Sequence, residues 1–292
     1  MPVVSMTGFG RGSAAEGGWS AEVEISAVNR RQFDCSVAMP RAFAAAFEAR
    51  VLNTVRGALA RGSVRVGVAI KPGDAGAVAA MDRGLARQRI CALRETAAGL
   101  GLADDLAASS LLRMDDLFSP AGTGENNAPW AALEAALKQA LEGVLAMRKR
   151  EGAAIAADIR GRLARLEELA QDIRLRAPEV PKNHAAALRK RLADLGAEGL
   201  AEPGALAREV ALFADRCDIS EELTRLSSHF AQAGALLSGD APCGRALDFL
   251  CQEFFREINT TGSKANDLEI TRAVIAFKTI LEAVREQVQN IE

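Results

Sequence analysis

No tyrosine occurs in the sequence, aromatic residues make up only 4% of it, and histidine appears twice. So few aromatics argue against a stacking platform that grips single-stranded nucleic acid by its bases. Cysteine occurs five times, at Cys35, Cys91, Cys217, Cys243 and Cys251, but never as a CxxC pair. That odd count and wide spacing exclude an obvious disulfide framework or zinc site and point to reduced, mostly buried thiols of a cytoplasmic protein. No apolar run approaches the roughly 18 residues of a membrane span. The opening MPVVSMTGFGRG has neither the basic segment nor the apolar core of a secretory signal.

The 292 residues are 49% hydrophobic and 25% charged, with a net charge of −2. This is a soluble globular composition, long enough for two domains or for one domain with a long appendage. The charge is unevenly spread: +4 over residues 1–72, −4 over 73–147, +6 over 148–191 and −8 over 192–292. Such a chain can hold a polyanion in one place and cations in another, although long solvated helices also carry charge.

The first 72 residues read as β-rich. WSAEVEISAV (19–28) alternates, with Val23, Ile25 and Val28 as the inward set, and QFDCSVAM (32–39) continues after a polar connection. SVRVGVAIK (63–71) is a period-2 strand, and the 43–62 segment between has Phe43, Phe47, Val51 and Val55 at helical spacing. Residues 81–117 read as helical pieces and 121–129 as a linker. From Trp130 a proline-free helical pattern runs to about 176, turns at Pro178 and Pro181, and returns over 182–195. The expected architecture is α+β: a β-rich N-terminal domain with helices (1–129), a long antiparallel helical arm and linker (130–204), and an all-α C-terminal domain (205–292). That last domain reads as a helix from about Leu206 through Phe230, a second over 245–258, and a third with a heptad seam. The seam, Ile270, Val274, Phe277, Leu281, Val284, Val288 and Ile291, wants a partner helix in this chain or another subunit.

Asp218, Glu222, Arg225 and His229 each precede a buried-stripe residue by one position, forming a row at the rim of the apolar face. Glu253 and Glu257 bear the same relation to Phe254 and Ile258. If the two helices pack by their stripes, Asp218, Glu222, Glu253 and Glu257 offer hard oxygen ligands for Mg²⁺ or Mn²⁺. Glu253, Glu257 and His229 are then the catalytic candidates, with His229 as general base or leaving-group acid. Against this, Arg216, Arg225, Arg256 and Lys264 are near enough in sequence simply to pair the carboxylates. NTTGSKAND (259–267) reads as an interhelical loop in which Lys264 and free backbone N–H groups could bind a phosphate, with Asn266 or Asp267 capping the next helix. Phosphate-binding candidates on the arm are Arg148, Arg150, Arg189, Lys190 and Arg191; Arg30 and Arg31 on the β-rich domain compete with them. His184, alone on the arm, reads as a surface residue.

REVALFADRCDISEELTRLSSH (208–229), GRALDFLCQEFFREINTTGSKAND (244–267) and EAVREQVQNIE (282–292) closely resemble the C-terminal domain of the YicC/YloC family. SMTGFGR (5–11), VNRRQFD (28–34) and MRKREGAAIAADI (147–159) resemble its N-terminal domain. Departures are minor: Phe254-Phe255, Thr261, and Arg31 where a histidine is expected; none removes a carboxylate. The resemblance implies a divalent-metal-dependent endoribonuclease cutting single-stranded RNA, linked to small-RNA turnover and stress physiology. It also implies a homohexamer whose helical arms close on RNA. An RNA-degradation partner such as an exoribonuclease is a further expected contact. The alternative is a non-catalytic oligomeric adaptor that binds RNA and delivers it to another nuclease.

Overall fold

The computed structural model describes residues 3–30, 32–59, 61–72, 80–81, 83–111, 117–119, 128–196 and 204–292. The fold is α+β, and the chain divides into two compact units, Thr7–Met147 and Met1–Met6 with Arg148–Glu292. No helix among the described residues is long and apolar enough to cross a membrane.

In the first unit, strands β1 (Gly8–Glu16), β2 (Trp19–Val28), β3 (Asp34–Ala38) and β4 (Ser63–Pro72) form one sheet in the order β1-β2-β4-β3. Helix α1 (Arg41–Ala58) connects β3 to β4, which lets those two strands run parallel, while the other pairs are antiparallel. A short pair, β5 (Ala80–Met81) and β6 (Phe118–Ser119), brackets α2 (Arg83–Leu100) and α3 (Ala108–Leu111). The core joins Val23 and Ile25 of β2, Val64 and Val66 of β4, Phe43, Phe47 and Val51 of α1, and Leu133, Leu137 and Val144 from the start of α4 (Ala128–Arg176). Val28 is exposed, because the inward parity of β2 runs through Ala27.

Strand β1 has no counterpart in the hydrophobic pattern because its inward positions include Gly10 and Gly12 rather than large apolar side chains. Their size is required: a Cβ on Gly10 would lie 2.0 Å from the Ala140 carbonyl oxygen, and one on Gly12 2.0 Å from that of Ala136. The TGFGRG stretch thus forms a bare ribbon on which the α4 backbone rests.

The second unit contains the remainder of α4, then α5 (Glu179–Asp194), α6 (Ala205–Arg216), α7 (Ser220–Ser238), α8 (Gly244–Lys264) and α9 (Leu268–Val288). Ile159, Leu163, Leu166, Leu169 and Ile173 of α4 are buried in one core with α7, α8 and α9. Helix α4 therefore contributes buried residues to each core, Leu133, Leu137 and Val144 to the first and Ile159 to Ile173 to the second. Several of its arginines hold it there. Arg160 donates to the Leu237 carbonyl at 2.6 Å, and Arg174 to the Leu223 carbonyl at 3.1 Å and Ser227 Oγ at 2.9 Å. His184 is half-buried, stacked on Phe213 of α6 at 3.7 Å between centroids, so it is not a plain surface residue. The α9 seam, from Ile270 to Ile291, is consumed inside this core.

Two expected elements differ. The single helix expected across 206–230 is broken at Cys217–Ile219, where Asp218 Oδ1 accepts the Ser220 N–H at 2.9 Å. A short polar side chain bonding the nearby backbone in this way competes with continuing the helix. Helix α8 instead runs on through NTTGSK to Lys264. Thr261 is fully buried with its hydroxyl donating to the Glu257 carbonyl at 2.9 Å, and Gly262 leaves room for Val274 of α9. The backbone N–H groups of that stretch lie inside a helix, so the expected interhelical loop shrinks to residues 265–267 and the 259–264 backbone offers no phosphate pocket.

Only residues 265–267 link α8 to α9, and Asp267 caps the latter by accepting the Glu269 and Ile270 N–H groups at 3.0 and 3.1 Å. Arg176 clamps the same carboxylate, with its Nη2 2.9 Å and its Nε 3.2 Å from Oδ2. The Arg176 hydrogen bonds hold the Asp267 carboxyl below its ordinary value. A depressed carboxylate contributes stability that is present above the ordinary value and lost as pH falls through the depressed one. Asp267→Asn should therefore lower the urea midpoint at pH 7 and lose less on acidification to pH 3 than the wild type. An equal acid-induced loss in both proteins would contradict this assignment.

Candidate functional site

The site lies where α7 meets α8. Helix α7 buries Leu223, Leu226 and Phe230, and α8 buries Leu250, Phe254 and Ile258. Phe230 and Phe254 meet at 4.7 Å between ring centroids. With the stripes joined, the residues one position earlier line the rim of the junction: Glu222, Arg225 and His229 on α7, and Glu253 and Glu257 on α8. Lys264, two turns beyond Glu257, extends the second row. Their pairing runs in opposite senses along the two helices. Lys264 Nζ is 2.7 Å from Glu222 Oε1, Arg225 Nη1 is 3.4 Å from Glu257 Oε1, and His229 meets Glu253 and Glu257. The helices are therefore antiparallel at this junction.

His229, Glu253 and Glu257 each offer a donor atom such that the three lie within 4.8 Å of one another. Among the described residues this is the one convergent trio of His, Cys, Asp or Glu. Both imidazole nitrogens of His229 are buried without a hydrogen-bond partner in the protein, and the ring's edge meets Phe254. A buried polar group left in that state costs about 1–3 kcal/mol, so the ring is poised for a ligand. Glu257 is 2% exposed. The arginines beside the carboxylates are loosely placed: Arg256 lies 3.7 Å from Glu253, and Arg225 lies 3.4 Å from Glu257. Charge-assisted N–H···O bonds are normally about 2.7–2.9 Å. One nitrogen and two carboxylate oxygens form a donor set that fits a divalent cation, the imidazole favouring Mn²⁺ over Mg²⁺.

The other two metal candidates do not join the trio. Asp218 is exposed, stands before α7 rather than on it, and is bound to the Ser220 backbone, which holds its carboxyl below the ordinary value. Glu222 is buried against Lys264, whose ammonium is raised above its usual value chiefly by that hydrogen bond. Lys264 is thereby committed to a carboxylate rather than to phosphate. The helix break at Cys217–Ile219 is what removes Asp218 from the row.

The remaining phosphate-binding candidates separate sharply. Arg148 is buried, its Nη2 2.7 Å from Glu292 Oε2 and its Nε donating to the Ser5 carbonyl, so it is a structural residue. The sequence does carry a signal for this: Arg148 stands four residues after Val144 and seven before Ile155, on the inward face of α4. Arg150, Arg189, Lys190 and Arg191 are exposed. Arg30 is exposed but paired with Asp34 at 2.7 Å, and Arg31 lies outside the described residues. Arg225 pairs with Glu257 and Glu221, in keeping with its reading as a pairing partner of the carboxylates.

Comparison with known proteins covers almost the whole chain. Residues 3–157 match the family described as "Endoribonuclease YicC-like, N-terminal region", and residues 173–292 match "Endoribonuclease YicC-like, C-terminal". The chain is 34% identical over 294 residues to a protein of Clostridioides difficile (strain 630) named "Probable endoribonuclease YicC", covering 99% of each. It is 30% identical over 291 residues to a protein of the same name from Haemophilus influenzae, covering 99% of this chain and 100% of that one.

Proposed function

Because the chain belongs to the YicC-like endoribonuclease family, we propose that it cleaves single-stranded RNA with a divalent cation, Mg²⁺ or Mn²⁺, held by His229, Glu253 and Glu257. The observation that carries this reading is the convergence of those three donors at one helix junction, with the imidazole nitrogens otherwise unsatisfied. When bound, such a cation supplies Lewis-acid polarisation of the scissile phosphate. Glu253 and Glu257 would neutralise its charge, and Phe254, itself packed on Phe230, contacts the His229 ring. With one nitrogen of His229 given to the cation, the other would carry the ring N–H and donate a hydrogen bond, so His229 would serve as a ligand rather than as the general base.

Cleavage of a defined single-stranded RNA by highly purified protein tests this. New ends should appear with Mn²⁺ or Mg²⁺, vanish with EDTA and return on adding the metal. RNA binding without new ends under any divalent metal would instead make the protein an adaptor for another nuclease.

The exposed cations Arg150, Arg189, Lys190 and Arg191 are the surface that would hold the RNA backbone. Single-stranded RNA releases about 0.7 counterion per phosphate contact. Replacing Arg189, Lys190 and Arg191 together by glutamine should weaken binding across sequences and reduce the logarithmic salt slope by about 2. A slope unchanged from wild type would move the binding surface elsewhere.

A further inference from the structure

We propose that Arg225 is an exchangeable counter-ion: it neutralises Glu257 in the metal-free protein, gives way when a divalent cation binds, and then holds a phosphate of the RNA. The inference rests on His229, Glu253 and Glu257 forming the cation site. Glu257 is a carboxylate at 2% exposure, and a buried charge must be compensated. Its one ion-pair partner among the described residues is Arg225, and that contact, 3.4 Å from Nη1, is long. The other arm of the same guanidinium pairs with Glu221, one helical turn earlier on α7, whose side chain is 68% exposed. Arg225 itself is half exposed. It therefore straddles the site, one arm at a long contact with the buried carboxylate and the other paired with the solvent-facing one.

A dication among His229, Glu253 and Glu257 would place two positive centres against one carboxylate. Of the two, the guanidinium is the one free to move, because it already has a solvent-side partner and needs no new cavity. Lys264 offers the contrast. Its bond to Oε1 of the buried Glu222 is short, at 2.7 Å. Once released from Glu257, the planar fork of Arg225 remains beside the cation, where it can engage two oxygens of a phosphate at once, which a lysine cannot.

The test uses the full-length chain with Mn²⁺ and a 2′-O-methyl single-stranded oligoribonucleotide as probes, comparing wild type, Arg225→Gln and Arg225→Lys. Coupling between neighbouring sites is commonly about 5–150-fold. Accordingly, Arg225→Gln should bind Mn²⁺ about tenfold more tightly than wild type, because the competing charge is gone. Its oligonucleotide affinity should match wild type in EDTA and fall about tenfold in saturating Mn²⁺. Arg225→Lys, which keeps the charge without the fork, should restore wild-type Mn²⁺ affinity but not the Mn²⁺-dependent oligonucleotide affinity. Wild-type Mn²⁺ affinity in Arg225→Gln, or an oligonucleotide loss of equal size with and without metal, would overturn the exchange. Failure of the wild type itself to bind Mn²⁺ would refute the cation site first, and the exchange with it.

Discussion

Arg148→Ala should lower the thermal midpoint by roughly 6–12 °C, while leaving RNA affinity nearly unchanged. The guanidinium is 4% exposed and ties together three distant parts of the chain. Its Nε donates to the Ser5 carbonyl, its Nη2 pairs with Glu292, and its own backbone carbonyl accepts the Ser5 N–H at 2.9 Å. Around it the two ends of the chain are laced together: the Met6 N–H donates to the Asn290 carbonyl and the Glu292 N–H to the Val4 carbonyl, each at 2.9 Å. Removing one member of a buried pair costs about 3–5 kcal/mol. Glu292 is 23% exposed on its side chain and can partly rehydrate, so the lower end, about 3 kcal/mol, applies. For a unit of this size each kcal/mol moves the midpoint by about 2–4 °C. Arg148→Lys should recover little, since a single ammonium cannot reproduce a fork that serves both Ser5 and Glu292. A midpoint within 2 °C of wild type, or a selective loss of RNA binding, would return Arg148 to the role its sequence neighbours suggest.

Glu253→Gln and Glu257→Gln should each reduce RNA cleavage more than about 100-fold in saturating Mn²⁺, because even outer-shell partners of a metal ligand are worth about 10–100-fold. The substitutions are nearly isosteric, so oligonucleotide binding in EDTA should persist. The two variants should differ in stability. Glu253 is a quarter exposed on its side chain, and its loss should be nearly neutral. Glu257 is buried beside Arg225, and neutralising it removes the partner of a half-exposed guanidinium that can turn to water, so the cost should stay small. Initial rates of cleavage set against urea midpoints separate the catalytic effect from unfolding. Wild-type rates in both variants would leave the helix junction without a catalytic role.

Much of this arrangement is legible in the sequence. The rule that His229, Glu253 and Glu257 each precede an apolar stripe residue by one position needs only helical periodicity, and the junction of α7 and α8 turns it into a trio. What periodicity cannot supply is stagger. Whether Glu222 faces Glu257 or Lys264 depends on how Phe230 and Phe254 interlock, and the answer is Lys264. Nor does it reveal that Asp218 spends its side chain on the Ser220 N–H and so breaks the helix that would have carried it into the row. In the first unit the miss is of the opposite kind. Gly10 and Gly12 carry no hydrophobic signal because their function is to have no side chain. Arg148 and Arg174 show the limit of charge counting: the sum over 148–191 is positive, yet those arginines are spent on Ser5, Glu292, Leu223 and Ser227 inside the fold.

His229, Glu253 and Glu257 are proposed to hold the cation. Pulsed electron paramagnetic resonance of Mn²⁺ bound to the full-length protein examines this directly, because an imidazole ligand imprints nitrogen hyperfine coupling on the metal. The wild type should show that coupling, His229→Gln should lose it while keeping the fold, and Glu257→Gln should lose most of the bound Mn²⁺. A Mn²⁺ spectrum without nitrogen coupling in the wild type, or one unchanged by either substitution, would contradict the account.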